Sequence, residues 1–134
     1  MGAWGSGPFE NDIALDWRDA LQRSVTGDRA GLIRNALVSP DLLTYGAAAE
    51  AIAAATVVAA ILPGGQALFD ASGLPEEEAH RIPTTADTPA LALRALDTVV
   101  TDESEWRRLW SESPSLYAEA VATLQQVRGI LTDE

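Results

Sequence analysis

Apolar residues recur along most of this chain at every third or fourth position, the spacing that gathers them on one side of an α-helix. From residue 12 to 25, Ile13, Trp17, Ala20 and Leu21 share a face while Asp12, Asp16, Arg18 and Asp19 fall elsewhere. An amphipathic helix is predicted there, ended by Thr26 and Gly27. Residues 28–38 repeat the pattern with Leu32, Ile33, Ala36 and Leu37. Residues 40–62 read as one long helix that is apolar on nearly every side from Gly46 onward, the pattern of a rod buried all round. Pro63, Gly64 and Gly65 break it, and the connection to Thr88 is predicted to hold one short helix, from Pro75 to about Arg81. Beyond it come three further stripes: Leu93, Leu96, Val99 and Val100; then Trp106, Leu109 and Trp110; then Tyr117, Ala120, Val121, Leu124, Val127 and Leu131. Few segments alternate at period two, so a sheet is not expected.

Three helix starts carry the same punctuation, a hydroxyl residue before proline: Ser39–Pro40, Thr88–Pro89 and Ser113–Pro114. The hydroxyl can accept from an orphan N–H, and proline at the first helical position has no hydrogen bond to lose. Asp102 with Glu105 suggests a capping box, and Asn11 or Asp12 opens the first helix. The resulting fold is all-α: a single compact domain over 1–134, with five to seven helices around the 40–62 rod. The arm 1–11 packs on that rod, and 63–88 forms a long connection.

The chain has 134 residues, enough for one core that buries roughly two thirds of the unfolded surface. It lacks cysteine, which removes disulfides, thiolate metal sites and a cysteine nucleophile and suits a reducing cytoplasm. Its basic residues are all arginine, which with the alanine content points to a GC-rich bacterial source. The formal net charge of −11 repels a phosphate backbone, so nucleic acid is not an expected partner and a basic protein is. No run is long enough to span a bilayer, the opening lacks the basic start and apolar stretch of a signal peptide, and no membrane partner is expected.

Candidate chemistry is sparse. The opening run places Trp4, Gly5, Gly7, Pro8 and Phe9 directly before Asn11 and Asp12. It reads first as an arm that tucks its aromatics into the bundle, and second as a nest of backbone N–H groups for an anion. Glu50 lies among Gly46, Ala47, Ala53, Ala54 and Val57, a small-residue face where a buried carboxylate must find a partner. The Trp4 indole, the glycine N–H groups and Arg18 are the candidates. Asp12, Asp16 and Asp19, with Glu50, form a candidate carboxylate cluster for a divalent metal or a hydrolase. Against that reading, first-turn aspartates offset the helix dipole, and di-iron bundles need two Glu-x-x-His pairs where this chain has only Glu77 with His80. His80 is read as an exposed residue of the short polar helix, and the G-x-S-x-G signature of hydrolases is missing. No catalytic residue, cofactor or metal is assigned, and the oligomeric state is not legible.

The residues Met1 to Asp12 resemble the opening of the bacterial family called domain of unknown function 4259. That opening runs Met-Gly, then alanine or threonine, then Trp-Gly-x-Gly-Pro-Phe, an acidic residue and Asn-Asp. Asp16 and Trp17 continue the likeness, as do the alanine-rich helix containing Glu50 and the Glu103 to Trp110 segment. Ser6 replaces the usual threonine, and Ile13 stands where a polar residue is common. The resemblance implies a small helical protein and supplies no activity. Acidity without a reaction motif leads to the expectation of an intracellular interaction module, immunity-like, that neutralises or regulates a basic partner. The alternative is a carboxylate-dependent metal-binding protein or hydrolase using Asp12, Asp16 and Glu50.

Overall fold

The structure, a computed structural model, describes residues 7–132. Among them are seven α-helices, one 3-10 helix and no strand: α1 (Asp12–Arg23), α2 (Thr26–Leu37), α3 (Tyr45–Ala60), α4 (Gln66–Ser72), the 3-10 helix Glu76–Arg81, α5 (Thr88–Val99), α6 (Glu105–Ser111) and α7 (Pro114–Thr132). The all-α reading of the sequence holds, and the alanine-rich rod is its centre, because α3 packs against each of the other six α-helices. Every residue from Ala51 to Ala60 is buried. Methyl-sized side chains let neighbouring axes come close on all sides, while Val57 and Val58 fill what remains. The single polar residue in that stretch, Thr56, donates its hydroxyl to the Ile52 carbonyl 2.7 Å away and so costs the core little. Around the rod, Trp17, Leu21, Ile33, Leu96, Trp106, Trp110, Leu124 and Leu131 supply the bulk.

Several boundaries differ from the sequence reading because residues other than the expected caps supply the hydrogen bonds. Thr26 and Gly27 do not end the first helix; they open the second. The helix stops at Arg23, and the carbonyls of Gln22 and Ser24 accept from Arg29, so an arginine closes the corner. The rod begins at Tyr45 rather than residue 40: Ser39 accepts only from the Asp41 N–H in a turn, Thr44 is the N-cap, and Glu105 accepts from the Tyr45 N–H at 2.8 Å. Pro89 lies in the first turn of α5, but the Thr88 hydroxyl accepts from Thr85 instead of capping the helix. Asp102 forms no capping box; Ser104 caps α6 and Asp102 pairs with Arg107 at 2.8 Å. α7 starts at Pro114, as Ser113–Pro114 predicts. The connection 63–88 holds two short helices, α4 and the 3-10 helix, where one is predicted.

The turn after α3 is fixed by close approach. The rod ends at Ala60, Pro63 bars its continuation, Gly64 turns back with φ +90°, and a Cβ on Gly65 would run into the Ala59 carbonyl and the Ala60 backbone. Gly65→Ala is therefore expected to destabilise the fold by about 1–3 kcal/mol in urea denaturation, since backbone has to move. Gly31→Ala, where nothing lies within 4 Å of the added methyl, is expected to gain about 0.5–1 kcal/mol from helix propensity. Equal effects at the two positions would contradict this packing.

Candidate functional site

The described part of the opening motif builds structure. The Gly7 N–H donates to Glu10 Oε1 at 2.9 Å and the Gly7 carbonyl accepts from the Glu10 N–H, a closed turn that leaves this amide unavailable for an anion. Phe9 is buried, and Asn11 Oδ1 accepts from the Ala14 N–H at 2.8 Å as the N-cap of α1. Trp4 and Gly5 lie outside the described residues. Beneath Gly7 and Pro8 is a cavity of about 20 Å³, walled also by Tyr45, Trp110 and Thr123, with room for about one water. Trp110 is 5% exposed and its indole N–H has no partner among the described residues, while burial raises the Tyr45 phenol pKa above its usual value.

The predicted carboxylate cluster does not assemble. Asp12 and Asp16 are exposed, and no three His, Asp or Glu side chains among the described residues could hold a metal ion together. Glu50 is half-buried and forms no hydrogen bond or ion pair with a described residue. Arg18, one of its candidate partners, instead donates to the Ser72 carbonyl at 3.0 Å and lies 3.5 Å from Asp19. The physical reason is position along the rod: full enclosure begins only at Ala51, so the Glu50 carboxylate keeps access to water.

The buried charge is elsewhere. Arg29, 1% exposed, donates from Nε to the Ser24 carbonyl at 3.2 Å, from Nη2 to the Gln22 carbonyl at 3.0 Å and from Nη1 to Glu78. Glu78 is also held by Arg81 at 3.3 Å. A guanidinium spreads its five N–H groups in a plane, so one side chain can close the α1–α2 corner and anchor the 3-10 helix at once. The sequence carried a signal for this: Arg29 is in phase with Ile33, Ala36 and Leu37, a charge placed on the buried stripe of α2.

That anchor shapes an open groove of about 840 Å³ between the C-terminal end of α3, α4 and the 3-10 helix. A 3-10 helix has about three residues per turn, so 78 and 81 stack on one face, 76 and 79 on the next, and 77 and 80 on the third. With Glu78 turned inward to Arg29, the other two faces line the groove as Glu76, Ala79, Glu77 and His80. Opposite them are Ile61, Leu62 and Phe69. On the far side, Gly73 at φ +78° lets the Arg18 guanidinium pass against the backbone to reach Ser72, so two arginines tie this connection to the bundle.

Arg29→Met would remove the buried partner of Glu78 and leave two backbone carbonyls without their donor, and is expected to cost about 3–5 kcal/mol in denaturant unfolding. Arg34→Met, which breaks an exposed pair with Asp87, is expected to cost under about 1 kcal/mol. Similar losses for the two would contradict the burial of this pair.

No curated protein and no solved structure matches the chain. The sequence profile of the family described as Domain of unknown function (DUF4259) matches residues 2–123, in agreement with the opening motif, and the chain belongs to that family.

Proposed function

We propose that the protein is a non-catalytic interaction module of the bacterial cytoplasm that binds and neutralises or regulates a basic protein partner, an immunity-like role. The observation that carries this reading is where the arginines go. Of the nine basic residues, Arg18, Arg29, Arg34, Arg81, Arg107 and Arg128 each sit against a carboxylate of this same chain. Arg18, Arg29 and Arg107 also donate to backbone carbonyls. Positive charge is thus largely paired within the chain, and acidic residues in excess leave a net −11 and a negative field around it. Such a field raises the rate of encounter with a cationic protein and discriminates against acidic ones. No helix among the described residues is long and apolar enough to cross a membrane.

The test is affinity capture by the full chain from a lysate of its own organism at low and moderate salt, with the bound proteins identified by mass spectrometry. A basic partner that is retained at low salt and weakens as salt rises is the expected result. Capture of nothing at low salt, or of a partner indifferent to salt, would overturn the reading.

A further inference from the structure

Resting on the reading above, we infer that the groove between α3, α4 and the 3-10 helix is the docking surface. Its occupant is a short segment of the basic partner in which an arginine or lysine neighbours an apolar side chain. Three features of the groove ask for that combination. Glu76 and Glu77 are exposed on its wall and form no hydrogen bond or ion pair with a described residue, because the adjacent cation, Arg81, is engaged by Glu78. The sixteen-residue α3 ends at Ala60 on the groove's edge, and the C-terminal end of a helix attracts positive charge. The groove is also lined by Ile61, Leu62, Phe69 and Ala79, apolar side chains that a purely polar ligand would leave unused. A guanidinium or ammonium on its apolar stem, beside a leucine-sized neighbour, meets all three at once.

The groove is also built before anything binds. Glu78 is pinned by Arg29, which fixes the rotation of the 3-10 helix and so the direction of its other two faces. The turn at Gly65 cannot widen without breaking its close approach to Ala59 and Ala60. A wall held in this way loses little conformational entropy on binding, which favours recognition of a short segment.

The full chain, isotopically labelled, is titrated by NMR with a blocked pentapeptide of alternating leucine and arginine. A peptide with glutamate in place of arginine serves as control. Saturable shifts confined to residues 60–66, 69 and 76–80 are expected with the basic peptide and none with the acidic one. The exposed double substitution Glu76→Gln with Glu77→Gln is expected to weaken binding about tenfold, two surface charges at up to about 1 kcal/mol each. Shifts spread over α5–α7, or equal affinity in the double variant, would overturn the groove while leaving a salt-sensitive partner in the capture experiment untouched. A confirmed groove with no basic partner captured would overturn the functional reading alone.

Discussion

One guanidinium organises the half of this protein that differs most from a plain helical bundle. Arg29 projects from α2 into the corner it shares with α1, and there it meets two carbonyls that the end of α1 cannot satisfy. Its remaining arm holds Glu78, a residue of a segment that has little apolar surface of its own. A buried ion pair adds little stability compared with an apolar replacement, but it is unforgiving of loss and strict in geometry. Here that strictness sets which face of a two-turn helix looks inward. The direction of Glu76, Glu77 and His80 follows from it.

The other half depends on side chains that are small. α3 can touch six helices because its buried surface is mostly methyl groups, and a helix of leucines in the same place would hold its neighbours farther off. The large residues come from those neighbours, with Trp106 and Trp110 tilted against each other at 6.3 Å and Tyr117 beside them. The design separates roles: alanine on the axis, bulk around it, and charge at the corner where the rod ends.

What could be read from the sequence follows the same division. The rod was legible because apolarity on all sides over Ala51 to Ala60 suits only an element enclosed by its neighbours, and the α5 and α7 stripes because their periodicity runs through three turns or more. Starts chosen by partners far along the chain were not legible. Nothing near Ser39 and Pro40 says that Glu105 will accept from the Tyr45 N–H and move the start to Thr44. α4 has seven residues, too few for a period to declare itself. The candidate site fared worst. Glu50 drew attention because its neighbours are small and apolar, yet it sits where the rod still meets solvent, whereas Arg29 looked like any helical arginine until Ile33 and Leu37 are counted on its face. Asp12 and Asp16 proved to be exposed, Asp19 lies beside Arg18, and Asn11 proved to be a cap.

The groove therefore rests on one claim, that Arg29 holds the 3-10 helix in a fixed rotation against the bundle. Amide hydrogen exchange of the native protein and of Arg29→Lys tests it directly, because lysine keeps the charge but cannot span three acceptors in a plane. Residues 76–82 are expected to exchange faster in the variant while α5, α6 and α7 keep their protection. Unchanged protection of 76–82 would contradict the claim, and the groove wall would then need another cause.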